Sequence, residues 1–331
     1  MKKLFVFALI LAVLSGVVFT ACSRNKGSGQ PTIGVAIYKF DDTFMSYTRN
    51  AIEQNGEGKA LIIMVDSQGA QPTQNDQVDQ FITKKMNSIA INPVDRTAAG
   101  AIIDKAKAGD VPVVFFNREP FPEDMREWDK VYYVGAKAEE SGTMQGEIAA
   151  EWWIANKGKD TVLRYIMLKG EPGHQDAEQR TEYSINAVKA AGITVELLAE
   201  DTAEWDRPKA VEKMDAFWAR FGDQIDMVFC NNDDMALGAI ESLRKAGFFS
   251  DGRYLPVVGV DATAPALQAL AEGTLLGTVL NDAKNQGKAT FDIAYALAAG
   301  ATPTTTAGKM DGKYVWVPYQ KVTRDNYRDF Q

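Results

Sequence analysis

Seven short apolar runs in this chain end on side chains that can direct hydrogen bonds. Asp41-Asp42 follow Ile37-Tyr38-Lys39-Phe40, Asn92 follows Ile91, and Asn117-Arg118 follow Phe115-Phe116. Leu168 leads into Gly170-Glu171-Pro172-Gly173-His174-Gln175-Asp176. Asn231-Asn232-Asp233 follow Cys230, Asp261 follows Val260, and Asn281-Asp282 follow Leu280. A carboxylate only accepts, a carboxamide both donates and accepts, and either can bridge two adjacent hydroxyls. A ring of such planar groups suits a small ligand rich in hydroxyls. The plainer alternative is that each Asp or Asn caps the helix that follows it. Capping explains any single position equally well, but seven such ends in one chain favour a shared site.

The elements that must carry these residues are legible as two alternating textures. Short β-branched runs lie at 33–37, 61–65, 88–91, 111–116, 131–134, 161–168, 227–230, 255–260 and 275–280. Between many of them lie longer segments with helical spacing of apolar residues, at 44–54, 74–85, 98–108 and 235–246. Near-continuous apolar strands separated by helices predict parallel sheets covered on both faces. Thr97 is placed to begin one helix, and Gly109 and Gly247 to end two. The pattern occurs twice, before and after about residue 136, which predicts two α/β lobes. Ligands of open parallel sheets bind outside the carboxyl ends of the strands, which is where the Asp and Asn residues fall.

Composition removes several function classes. With 331 residues, 46% hydrophobic and 24% charged, the chain is long enough for two globular domains and too apolar for disorder. Its net charge of −8, with no basic run, is a poor match for nucleic acid. A single His excludes a two-His metal site, and two Cys exclude a disulfide framework. At the N-terminus, Lys2 and Lys3 precede an apolar run at 4–14, which reads as a signal peptide over residues 1–21. The stretch Phe19-Thr20-Ala21-Cys22 resembles a bacterial lipobox, although Phe19 replaces the usual Leu. Cys22 is then the lipidated first residue of the mature chain, and 22–30 are a polar, Gly-containing tether. Acyl chains on Cys22 would anchor the exported, periplasmic protein to a membrane. Losing Lys2 and Lys3 leaves 34 basic residues against 44 acidic ones, a net charge of −10. Cys230, without a covalent partner, reads as a buried thiol.

Five segments together carry a family resemblance: IYKFDDTFMS (37–46), VPVVFFNREP (111–120), LKGEPGHQDAEQR (168–180), NNDDMALG (231–238) and GTVLNDAKNQ (277–286). On these the chain resembles the galactose/glucose-binding branch of the periplasmic sugar-binding proteins, from residue 31 to residue 330. The resemblance implies a type I periplasmic binding protein fold: two similar three-layer α/β/α lobes joined by a three-strand hinge. Lobe one would hold 31–136 plus 281–316, and lobe two 137–280 plus 317–331. It also implies one pyranose held between the lobes. Asp42 would accept from its hydroxyls, and Phe44 and Trp205 would cover its two faces. Asn117, His174, Asp176, Arg180, Asn232, Asp261 and Asn281 would supply the remaining hydrogen bonds. The chemistry is coherent, because flat rings bury C–H faces with little loss of side-chain freedom, and hydrogen bonds to charged groups are the stronger kind.

Each residue also has a structural reading. Phe44 fits the core of the first helix, and Arg180 fits a solvated helix face beside Glu178 or Glu182. Trp205 sits among Glu204, Asp206 and Arg207, which marks a loop aromatic. Trp128, Trp152, Trp153, Trp218 and Trp316 read as packing. The resemblance breaks at one place. Many relatives carry a calcium loop where this chain has Lys157-Gly158-Lys159-Asp160-Thr161, with Asp226 at the distal Glu position. One carboxylate in that loop falls short of the 6–8 oxygens calcium takes as a general rule, so no calcium and no other cofactor is expected. The implied activity is capture of glucose or galactose and delivery to an ATP-binding-cassette (ABC) permease by a monomeric protein. Presentation to a chemoreceptor is compatible with that. The rival reading is a secreted hydrolase using His174 and Asp176, but G-x-S-x-G and H-E-x-x-H signatures are missing. A sugar-sensing repressor would begin with a helix-turn-helix rather than an export signal.

Overall fold

The computed structural model describes residues 29–331. The signal peptide, Cys22 and most of the tether lie outside the described residues. Residues 31–331 form one compact unit. It begins with β1 (Thr32–Ile37), α1 (Thr43–Gly56), β2 (Leu61–Asp66), α2 (Gln71–Thr83), β3 (Ser88–Ile91), α3 (Ala99–Gly109), β4 (Val113–Phe116), α4 (Pro122–Arg126) and β5 (Val131–Gly135). The chain then enters a second lobe with α5 (Ala138–Asn156), β6 (Leu163–Lys169), α6 (Gln175–Ala190), β7 (Val195–Thr202) and α7 (Arg207–Phe221). It continues through β8 (Met227–Cys230), α8 (Asp233–Lys245), β9 (Val257–Val258), α9 (Ala264–Glu272) and β10 (Gly277–Leu280). Next, α10 (Ala283–Ala298) packs against α1, and β11 (Lys309–Asp311) and β12 (Tyr314–Trp316) extend the first sheet. Last, β13 (Gln320–Thr323) joins the second sheet.

The first sheet has the order β11-β12-β5-β4-β3-β1-β2 and the second β13-β10-β9-β8-β6-β7. Pairing is parallel except at the β11–β12 and β10–β13 edges. The chain therefore passes between lobes three times, at 135–138, 280–283 and 316–320.

Strand alternation builds both cores. Ile33, Val35 and Ile37 of β1 face α1 and α10, while Ala36 joins α2 and α3 on the opposite face. In the second sheet Ile166 and Leu168 meet α7 and α8, while Tyr165 and Met167 meet α5 and α6. Phe116 is wholly buried, and truncating such a ring to Ala generally costs ~3–5 kcal/mol. Each sheet is thus sandwiched between helix layers, which is the expected architecture. On the face shared by α5 and α6, a Cβ on Gly146 would sit 2.0 Å from the Ser184 carbonyl oxygen, so only glycine fits there.

Several boundaries differ from expectation for identifiable reasons. Thr97 does not start α3: it lies in a 3-10 turn (Arg96–Ala98) capped by Asp95, which accepts from the Thr97 N–H at 2.8 Å. Asp110, not Gly109, takes the left-handed position after α3, with φ 54°. The run at 255–260 yields only the two-residue β9, because Asp261 leaves the ladder through a single bridge to Leu280. β7 was not expected: an edge strand needs no continuous apolar run, and its residues are exposed or half-buried.

Candidate functional site

Four of the polar strand ends also cap helices, so capping and site-building coincide. Asp42 caps α1 by accepting from the Met45 N–H at 2.7 Å, and its other oxygen accepts from the Tyr38 hydroxyl at 2.6 Å. Asn232 caps α8 through Met235, and its amide donates to the Trp205 carbonyl at 3.3 Å. His174 caps α6: its Nδ1 accepts from the Asp176 N–H at 3.1 Å. The imidazole proton therefore resides on Nε2. Burial first, then the nearby Arg118, Arg180 and Arg96, hold the His174 pKa well below its usual value. Asp282 caps α10, which leaves Asn281 one residue earlier to face inward.

These elements enclose about 360 Å³ between the lobes. All ten residues singled out from sequence line this one cavity: Asp42, Phe44 and Asn117 from lobe one; His174, Asp176, Arg180, Trp205, Asn232 and Asp261 from lobe two; and Asn281 at a crossing. Tyr38, Met45 and Arg118 line it as well and were not singled out. Arg118 was already named at a strand end and Tyr38 within the run before Asp41, so position alone could have assigned them to the site. Asn92, by contrast, works behind the wall. It accepts from the Tyr38 N–H and donates to the Asn117 side-chain oxygen at 3.1 Å.

Arg180 is not on a solvated face. It is 3% exposed, donates to the Asn231 carbonyl (2.9 Å), Asp176 (3.1 Å) and the Tyr319 hydroxyl (3.2 Å), and lies 3.9 Å from Asp261. Phe44 is 8% exposed, so its core and cavity roles are both met. Trp205 sits edge-on to the His174 ring, with centroids 5.0 Å apart. Its indole occupies the space a Cβ on Gly170 would fill, 2.1 Å from such an atom.

Burial dominates the electrostatics. It raises the Asp261 pKa well above the ordinary carboxylate value, with Arg180 opposing and Asp233 adding to the effect. Asp176 is raised by the same cause despite its ion pair with Arg180. Asp233 stands behind the wall, bound by the Thr263 N–H (2.8 Å) and the Thr278 hydroxyl (2.6 Å), and burial pushes it up to about 7. Asn281 donates to Asp261 at 3.2 Å and accepts from Gln286 at 2.5 Å.

Three cavity residues other than glycine have positive φ: Asn117 (63°), Trp205 (64°) and Asp261 (129°). Such conformations cost of order 1–3 kcal/mol each and persist where the surroundings over-determine them. The chemistry available is multiple directed hydrogen bonding with an aromatic lining. No nucleophile is set against a base. His174 uses its Nδ1 on a backbone N–H, and Asp176 points at Arg180 rather than at the imidazole.

Asp226, at the distal position of the calcium loop implied by the resemblance, is engaged by the Arg164 guanidinium at 2.9 and 3.1 Å. Among the described residues no cluster of three or more His, Cys, Asp or Glu side chains is gathered as a metal would require. No helix among them is long and apolar enough to cross a membrane.

The chain is similar to known proteins over nearly its whole length. The D-galactose/methyl-galactoside binding periplasmic protein MglB of Haemophilus influenzae is 42% identical over 330 residues, covering 96% of this chain and 98% of that protein. The ribose import binding protein RbsB of Bacillus subtilis is 27% identical over 326 residues, covering 95% and 98%. Among solved structures, an ABC transporter solute-binding protein from Bacillus halodurans with bound myo-inositol superposes with a TM-score of 0.79 at 30% identity, over 92% of this chain and 98% of that one. A sequence profile of the periplasmic binding protein domain matches residues 33–302. On that match and those relatives, the chain belongs to the periplasmic binding protein family.

Proposed function

We propose that the protein binds one monosaccharide, D-glucose or D-galactose, in the interlobe cleft and delivers it to an ABC-type sugar permease. The observation that carries this reading is the meeting of ten hydrogen-bonding and aromatic side chains from both lobes around one cavity of about 360 Å³. A pyranose has a belt of hydroxyls and two C–H faces. Asp42, Asp176, Asp261 and Arg180 offer charged partners to the belt, and Phe44 and Trp205 offer rings to the faces. Selectivity follows because each buried group left unpaired costs ~1–3 kcal/mol, so a sugar lacking one hydroxyl loses roughly tenfold or more. The name of the 42%-identical relative supports the galactose class. The engagement of His174 and Asp176 with other partners disfavours the hydrolase alternative and supports a binding role rather than an enzymatic one.

The rest of the reading follows from this. Export with a lipid anchor on Cys22 would keep the binding protein near its permease. A monomer suffices, since both halves of the cleft come from one chain. The pairing of Asp226 with Arg164 supports a site that works without calcium.

Calorimetry of the purified protein against a panel of hexoses and pentoses tests the assignment. Binding of glucose or galactose is expected, unchanged by a chelator and weakened about 10- to 100-fold in Asp261→Ala, the loss of a hydrogen bond to a charged group. No heat with any monosaccharide would remove the assignment. In cells, Cys22→Ala is expected to move the protein from the membrane fraction to the soluble periplasmic fraction, and retention in membranes would refute the anchor.

A further inference from the structure

The sugar cavity shares wall residues with neighbouring spaces on two sides. Beside it lies an outer cavity of about 860 Å³, lined by Val94, Arg96, Glu119 and Pro172 among others, and sharing Arg118 and His174 with the inner one. Two polar contacts cross from lobe to lobe in its wall. Arg118 Nη2 meets Glu171 Oε2 at 2.9 Å, and Gln175 Nε2 donates to Glu119 Oε2 at 3.0 Å. Both therefore stand at the rim that the two cavities share.

Arg118 is fixed on its lobe-one side before it meets Glu171. Nη1 donates to the Val94 carbonyl at 2.6 Å, and the guanidinium lies 3.8 Å from the centroid of the Tyr38 ring. Tyr38 in turn holds Asp42. The arginine is 6% exposed, and its Nε is buried without a partner. Glu171 is one-third exposed and rides on the loop between β6 and α6, next to Gly170, the residue that makes room for Trp205.

We propose that Arg118 and Glu171 are a latch on the mouth of the cleft. Arg118 forms part of the sugar cavity's wall, while Glu171 is a positioning residue that acts through Arg118. The inference rests on the sugar-binding reading above and adds the residues that set how long the sugar stays. The partners belong to different lobes, so the pair contributes only while the lobes are together. A contact present in the closed state and absent in the open one slows release more than it speeds capture. Its partial burial protects it from the screening that weakens exposed pairs.

Rapid-mixing kinetics on the full chain, followed by tryptophan fluorescence with the best sugar from calorimetry, separate the two rates. Glu171→Gln is expected to raise the dissociation rate about tenfold, with the association rate within about twofold of wild type. Glu171→Asp, which keeps the charge and shortens the reach, should fall between. In an Arg118→Gln background, Glu171→Gln should add little, because the pair is already broken. Melting curves verify that the Glu171 variants fold. A wild-type chain that binds sugar, with a dissociation rate unchanged in Glu171→Gln, overturns the latch alone. A wild-type chain that binds no monosaccharide overturns the sugar reading and the latch with it.

Discussion

His174 shows how a single side chain records its surroundings. Its Nδ1 accepts from a backbone N–H, its ring meets Trp205, and three arginines disfavour its charge. The unfolded chain would bind a proton near pH 6.5 and the folded chain binds it only well below that. The contribution of His174 to stability is therefore present above about 6.5 and lost as the pH falls further, through the lowered folded value. Asp233 has the opposite sign: its contribution is complete below the ordinary 3.8 and lost as the pH rises through about 7. Because the chain has one histidine, its imidazole C2–H resonance is unambiguous. That signal is expected to stay at its neutral position from pH 8 to about 6, and a midpoint near 6.5 would contradict the buried, proton-poor environment. At this scale the sequence exposed the residue types that face the cavity. It marked Asn92 and Asp233 as polar strand ends but not that they work behind the wall, because their partners Tyr38 and Asn117, and Thr263 and Thr278, lie far away in sequence.

At the scale of elements, the cleft depends on loops whose shapes follow from a few steric facts. Trp205 reaches the cavity because Gly170, at the end of β6, has no side chain. Gly170→Ala is expected to displace the indole and weaken sugar binding about tenfold or more, by loss of one aromatic face. Far-ultraviolet circular dichroism should not change, since β6 and α6 are unaffected, and wild-type affinity in this variant would show that Trp205 is not pressed against Gly170. Buried central strands such as β1, β4 and β8 were legible because parallel sheets buried on both faces require continuous apolar runs. The edge strands β7, β11 and β13 were not, since each pairs on one side only, and β12 is just three residues long. The ends of the four helices read from spacing were placed to within three residues. The residue taking the left-handed turn after α3 was misjudged because Asp110 adopts a conformation more often given to glycine.

For the whole molecule, the three crossings define what can move. Each lobe keeps its own sheet and its own cores, and among the described residues the connections at 135–138, 280–283 and 316–320 are the only covalent links between them. Bending there leaves both cores intact, whereas contacts such as Arg118–Glu171 and the Thr43–Asp234 hydrogen bond exist only with the lobes together. Small-angle scattering is expected to show a smaller radius of gyration at saturating sugar than without it. An unchanged radius would argue against closure. The two-lobe plan was legible from the repeated strand–helix texture, but the crossings were not. They are invisible to composition and periodicity and came from family resemblance.

The same crossings decide when the molecule can be finished. Strand β12, which extends the first sheet, spans residues 314–316, and β13, which edges the second, spans 320–323. Both lobes wait for pieces that emerge from synthesis almost together, some 180 residues or more after β5 and about 40 after β10. Neither half can be sealed as an independent unit while the rest is still being made. A nascent chain lacking this short stretch keeps two sheets with an unclaimed edge. Completion is thus a late and nearly simultaneous event for both lobes, and a chain truncated before residue 314 is left with two unfinished halves rather than one good one.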